Sequence, residues 1–296
     1  MEKLTRDEAI EIAKDPFHTR LDPSDILLTD QVAVVTGGGG GIGMGIALGL
    51  AKFGADVAVL DIVPERTERA VEAIGELGRT GLALPTDVMD TDQIRAAIAR
   101  THERFGRIDI LVNNAGGVRG AKFVDQSERS WRRHIDINLV SMLAATSATV
   151  PHMIESGGGS IVNVTSIEGF RAAPMYSVYA ACKAGMINFT RTLAVELGEY
   201  DIRVNAIAPD LTTTPGLRGN RTGPVDPSTW VDFPSTAADV YLPLRREGVV
   251  EDCAGVAVFL CSSLGGYITG TTLNVDGGSW ASSGWNRDGS GGWTLH

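Results

Sequence analysis

Residues 32–62 read VAVVTGGGGGIGMGIALGLAKFGADVAVLDI. An apolar run gives way at Thr36 to a glycine-rich turn, a helix-length stretch carries the chain to Gly54, and a second apolar run closes at Asp61 and Ile62. Neither run alternates polar with apolar residues, as strands with one wet face do. The predicted unit is therefore a strand, a tight turn, a covering helix and a second, parallel strand. The same rhythm recurs outward in GLALPTDV (81–88), IDILVNNAG (108–116), SIVNVTS (160–166), IRVNAIAP (202–209) and TTLNVDGG (271–278). About seven such strands predict an α/β fold, a single domain built on a doubly wound parallel sheet flanked by helices.

The turn Thr36–Gly43, TGGGGGIG, stands where backbone N–H groups and a helix N-terminus can face a pyrophosphate without side chains in the way. Gly37, Gly41, Ile42 and Gly43 are the candidate contacts. Asp61 follows Gly43 by 18 positions, near the spacing of an acid that accepts hydrogen bonds from adenosine ribose hydroxyls. A carboxylate repels a ribose phosphate, and neither Gly40 nor Ile62 supplies the cation that NADP would need. NAD is the expected cofactor.

Tyr179 and Lys183 lie four residues apart and so share one helix face. Ser166 ends an apolar strand and so presents a hydroxyl at the carboxyl edge of the sheet, where ligands bind in this architecture. Each residue alone would pass as ordinary structure. Together, with Asp87 in TDV, NNAG at 113–116, Asn138 in IDINL, VNAIAP at 204–209 and VDGG at 275–278, the chain resembles the classical short-chain dehydrogenases/reductases over about residues 30–278. The resemblance implies a Rossmann-type fold and hydride transfer between a nicotinamide and an alcohol or ketone. It assigns Tyr179 as acid or base, Ser166 as the hydrogen-bond partner of the substrate oxygen, Lys183 as the charge beside Tyr179 and the grip on the nicotinamide ribose, and Asn138 as the anchor of a proton-relaying water chain. It also implies that Asp87 and Val88 hold the adenine, that Asn114, Ala115 and Gly116 line the cofactor, and that Pro209, Thr212 and Thr214 lie at the nicotinamide end. Tyr176 has Ala180, not a lysine, four residues on, so the likeness selects Tyr179. Where the family usually has glycine after the proline, this chain has Asp210.

Composition narrows the partners. With 26 basic against 36 acidic side chains, a net charge of −10 and no basic block, nucleic acid and anionic membrane surfaces are not expected partners. Every apolar run is broken before it reaches membrane-spanning length. The acidic N-terminus lacks the pattern of a secretory leader, which points to the cytoplasm. Cys182, Cys253 and Cys261 show no metal-ligand spacing, so no metal is expected. Residues 1–30 form an extension whose Thr5 and Glu8 predict a capped helix over 6–14. Beyond the core domain (31–278), residues 279–296 are too rich in Gly and Ser for a helix. They carry Trp280, Trp285 and Trp293, which suit an arm on a neighbouring subunit better than a solvated tail.

The segment 210–245, with five prolines and with Trp230, Phe233 and Tyr241, predicts a substrate-binding loop or lid. By family position, Val118, Arg119, Glu168, Phe170 and Met175 join it around the substrate, together with Ser166 and Tyr179. These mixed walls point to a medium-sized hydrophobic secondary alcohol or ketone, such as a hydroxysteroid, terpenoid or alicyclic alcohol. The alternatives are a 3-oxoacyl-thioester reductase, a polyol dehydrogenase, or a non-enzymatic NAD(H)-sensing or scaffold protein. The last needs the glycine turn but not the complete Asn138, Ser166, Tyr179 and Lys183 set. The resemblance further implies a homo-oligomer, a tetramer.

Overall fold

In a computed structural model, residues 6–14, 21–219, 228 and 235–295 are described. Helix α1 (Arg6–Ala13) covers the stretch expected to be helical, while Thr5 lies outside the described residues. The core then runs β1 (Val32–Thr36), α2 (Gly41–Lys52), β2 (Asp56–Asp61), α3 (Pro64–Glu76), β3 (Gly81–Pro85), α4 (Thr91–Phe105), β4 (Ile110–Asn113), α5 (Glu128–Ile135) and α6 (Ser141–Glu155). It continues through β5 (Gly159–Val164), α7 (Ser177–Leu197), β6 (Ile202–Pro209), α8 (Ser235–Tyr241), α9 (Val250–Cys261) and β7 (Thr272–Val275). It ends with α10 (Ser279–Ser282), β8 (Asn286–Arg287) and β9 (Trp293–Thr294).

Seven parallel strands order as β3-β2-β1-β4-β5-β6-β7, a Rossmann-type sheet. Successive side chains of β1 point to opposite faces: Ala33 and Val35 join the core formed with α2 and α9, and Val34 joins the one formed with α4, α6 and α7. Both faces are thus apolar, which is why the strands read as unbroken runs. Strand order reverses between β1 and β4, so a crevice opens past their carboxyl ends. The helix ends follow local chemistry. Asp90 caps α4 by accepting from the Asp92 and Gln93 amides, and Gly106 ends it with φ 76°.

Two sequence expectations are corrected. Helices α5 and α6 are joined by a π-helical turn over Asp136–Val140 into one run, Glu128–Glu155, whose length and mean hydropathy of 1.3 over 18 residues suit a membrane span. Breaks that look decisive in sequence do not interrupt this helix; one side of it packs on α4, β4 and β5 and the other stays exposed at Leu143 and Ile154. The second correction concerns the C-terminal residues. Ser279–Ser282 form a helical turn, and β8 pairs with β9 as a small antiparallel hairpin beside α8. The Arg287 guanidinium sits 4.4 Å from the Trp293 ring centroid, and the Trp280 ring lies 5.7 Å from that of Phe170, so two of the three tryptophans are packed within their own chain.

Candidate active site

At the carboxyl end of β1 the glycine turn is locked to the segment after β4. The Asn114 amide donates to the carbonyls of Thr36 (3.0 Å) and Gly37 (3.2 Å), and the backbone N–H groups of Asn114 and Ala115 donate to the Thr36 hydroxyl. A Cβ at Gly43 would stand 2.2 Å from the Gly37 carbonyl oxygen, and one at Gly116 would stand 2.8 Å from Asn138 Oδ1. A side chain at Gly43 would drive into the backbone of the turn and one at Gly116 would displace the Asn138 amide, so the turn stays bare there, as a dinucleotide pyrophosphate requires. Asp61 ends β2 beside this turn, its carboxylate accepting from the amides of Gly39 and Val63, while Ile62 is exposed. Asp87 and Val88 follow β3 on the same edge, with Val88 buried. Thr214 lies about 3.5 Å from the Cβ position of Gly41. The Thr212 hydroxyl instead turns inward, donating to the Asp210 carbonyl after Pro209.

Arg66 was not among the residues singled out from sequence. From the first turns of α3 it lies along the glycine turn, its Cβ 2.7 Å from the Cβ position of Gly39 and its Nη1 3.5 Å from that of Gly40. A cation therefore stands near Asp61 after all. Its signal in sequence was only its place five residues beyond Asp61, on a helix whose orientation the sheet decides.

The catalytic candidates converge across the crevice. Ser166 follows β5, is buried, and hydrogen-bonds Tyr179 near the start of α7. Lys183, one turn later, is 3 % exposed, donates to the Val164 carbonyl at 2.9 Å, and lies 5.6 Å from the Tyr179 ring centroid. Burial pushes the Tyr179 phenol up to about 12 and the nearby Glu168 carboxylate adds to this, against the Ser166 hydrogen bond that lowers it. Burial brings the Lys183 ammonium down to about 8. Asn138 occupies the π-helical turn. Its side chain accepts from Gly117 N (3.1 Å) and donates to the carbonyls of Gly117 (2.8 Å) and His134 (2.9 Å). That amide is committed to fixing the loop after β4, a positioning role beside the water-anchoring one that the resemblance implies. Tyr176, at the helix N-cap, lies over Gly120 and outside the constellation.

Of the substrate-side candidates, Met175 is half exposed with φ 74°, a left-handed conformation that a methionine rarely adopts and that is itself a source of strain. Arg119 is exposed. Glu168 Oε1 accepts from Arg171 at 2.7 Å, and Phe170 packs 5.7 Å from Trp280. Trp230 and Phe233 lie outside the described residues.

A seven-stranded parallel sheet with a glycine cradle at its switch point, facing an assembled Ser, Tyr, Lys and Asn set, defines a nucleotide-binding oxidoreductase. The chain belongs to the short-chain dehydrogenase/reductase family. Residues 37–279 match the family described as enoyl-(acyl carrier protein) reductase. The chain is 40% identical over 255 residues to the oxidoreductase UcpA of Salmonella typhimurium, covering 85% of this chain and 95% of that one. Among solved structures it is similar to a 7α-hydroxysteroid dehydrogenase complexed with NADH and 7-oxo glycochenodeoxycholic acid (TM-score 0.81, 32% identity, 87% of this chain and 97% of that one). It is also similar to carveol dehydrogenase from Mycobacterium avium in complex with NAD (TM-score 0.77, 32% identity, 86% and 99%).

Proposed function

We propose that this protein is an NAD-dependent dehydrogenase that interconverts an uncharged, medium-sized hydrophobic secondary alcohol and its ketone. The observation that carries this is Tyr179, hydrogen-bonded to Ser166 and flanked by buried Lys183, at the edge of a glycine cradle with Asp61 at its far end. A nicotinamide held there would supply the hydride acceptor for oxidation of the alcohol carbon and the hydride donor for reduction of the ketone. Gly37, Gly43, Asn114, Ala115 and Gly116 hold the dinucleotide, and Asp61 receives the ribose hydroxyls.

Tyr179 takes the alcohol proton during oxidation and gives it back during reduction, while the Ser166 hydroxyl orients the substrate oxygen. A phenol held near 12 lies about five units above neutral pH, and each unit corresponds to about 1.4 kcal/mol. Lys183, still protonated at pH 7, is already part of the site in which the phenol stands near 12, so the charge that closes the gap would come from an oxidised nicotinamide. Glu168 and Asp210 both engage the Arg171 guanidinium, so that cation is already committed and does not call for a hydroxy acid. Phe170, Met175 and Trp280 supply the apolar wall. This composition ranks neutral hydrophobic alcohols above polyols, sugar acids and thioesters.

The test is NADH appearance by absorbance with a panel of steroid, terpenoid, alicyclic, polyol and 3-hydroxyacyl-thioester alcohols, with NADP run in parallel. Turnover of a neutral hydrophobic alcohol with NAD supports the reading. NADH binding without turnover of any alcohol overturns it in favour of a sensing role, and activity with NADP alone overturns the assignment of Asp61. We further infer a cytoplasmic setting, which the three buried free cysteines suit. A homo-oligomer is also proposed, because an apolar groove of about 370 Å³ lined by Phe123, Ile135, Leu139 and Val178 suits a second copy of the chain.

A further inference from the structure

Asp210 stands where the resemblance leads one to expect glycine, and its carboxylate, about a tenth exposed, gathers three segments that are far apart in sequence. Oδ2 accepts from the Tyr241 hydroxyl at the end of α8 (2.6 Å) and from the Ser279 hydroxyl at the start of the C-terminal segment (2.6 Å). Oδ1 lies 3.5 Å from Arg171 Nη2, which also holds Glu168. Arg171 closes the ring by donating to the Tyr241 hydroxyl and stacking its guanidinium 5.4 Å from that ring centroid. Every charged group in this cluster has its partner inside it. Such a cluster leaves little to offer a ligand, and its physical effect is to hold its members together.

The members held are the parts of the substrate mouth. Arg171 and Glu168 belong to the loop between Ser166 and Tyr179, Tyr241 ends the lid helix, and Ser279 opens the segment whose Trp280 packs on Phe170. The hairpin β8–β9 lies against α8, so the C-terminal segment backs the lid. We propose that Asp210 is a positioning residue whose carboxylate fastens α8 and the C-terminal segment to the Glu168–Arg171 loop, making residues 279–295 a wall of this chain's own substrate pocket. The proposal rests on the alcohol-dehydrogenase reading for its kinetic consequence and not for its structural one. With a side chain as short as glycine, the lid and the tail lose their common acceptor, and Arg171 loses one of its two counter-ions. Neither loss touches the dinucleotide cradle.

The experiment compares wild type with Asp210→Gly, Asp210→Asn and Tyr241→Phe by hydrogen exchange, by NADH binding and by steady-state kinetics on the alcohol that the panel selects. In Asp210→Gly, amides of both Ser235–Tyr241 and Ser279–Trp285 should exchange at least tenfold faster. KM for the alcohol should rise about tenfold or more, with kcat and NADH affinity within threefold. Tyr241→Phe, which loses one donor, should release α8 alone. Asp210→Asn, which keeps an acceptor for Tyr241 and Ser279 but turns an amide toward Arg171, should fall between. Unchanged exchange in either segment of Asp210→Gly, or faster exchange with an unaltered KM, overturns the proposal. NADH affinity held within threefold certifies that the variants fold. If no alcohol is turned over even by wild type, the exchange data still decide the fastening, and what fails is the catalytic reading.

Discussion

Tyr179 and Tyr176 are three residues apart, and only one of them has the Ser166 hydroxyl and the Lys183 ammonium beside it. Tyr179→Phe should lower turnover by roughly 10²–10⁴-fold, the usual range for loss of a positioned acid or base, with NADH affinity kept. Tyr176→Phe should keep most of the activity, and the pair of steady-state measurements separates chemistry from packing. Glu168 raises the Tyr179 pKa through its negative charge, so its removal eases formation of the phenolate. The acid limb of the pH profile for alcohol oxidation should therefore move to lower pH in Glu168→Gln; a limb that stays or moves upward contradicts the assignment of Tyr179 as base. At the adenosine end two opposed preferences meet in Asp61 and Arg66. Asp61→Ser should raise kcat/KM with NADP by tenfold or more, because Arg66 then faces a ribose phosphate without a competing carboxylate. The double variant Asp61→Ser with Arg66→Ala should lose that gain.

Between α4 and α6 the rings of His102 and His152 stack with centroids 4.1 Å apart. Burial, then the His102 charge, lower the His152 pKa, opposed by Glu155. A histidine whose folded pKa lies below its unfolded value binds fewer protons in the folded chain, so its stability is whole near neutrality and lost as the pH falls through about 6.5 and below. Thermal melts from pH 8 to pH 5 should show a steeper loss in wild type than in His152→Gln. At this scale the sequence was legible wherever one element decides its own placement. Unbroken apolar runs gave the parallel strands, and the 179/183 spacing gave a shared helix face. It was illegible wherever tertiary packing decides. The approach of Arg66 to the glycine turn depends on how α3 docks, and the helical turn at Ser279, held locally by Asp276, is also tied to Asp210, an acid 69 residues upstream, while the run Glu128–Glu155 passes through a π turn that contains Asn138.

Among the described residues a seven-stranded sheet dominates the molecule, with the candidate site at its carboxyl edge, and the exposed apolar surface is uneven. The groove beside Phe123 and Val178 continues onto a helix whose Leu143 and Ile154 are more than a third exposed, a face that a second copy would cover. Light scattering at micromolar concentration should give a multiple of the 31.3 kDa chain mass, and Val178→Glu should shift it toward the monomer; a monomeric wild type contradicts the oligomer reading. The placement of the last residues also bears on how the protein is handled at the bench. Leu295 leaves the hairpin beside α8, so, with residues 279–295 as the proposed pocket wall, a purification handle fused to the carboxyl terminus should raise KM for the alcohol. One fused ahead of the exposed helix α1 should not, and kinetic constants should be taken from the amino-terminal fusion.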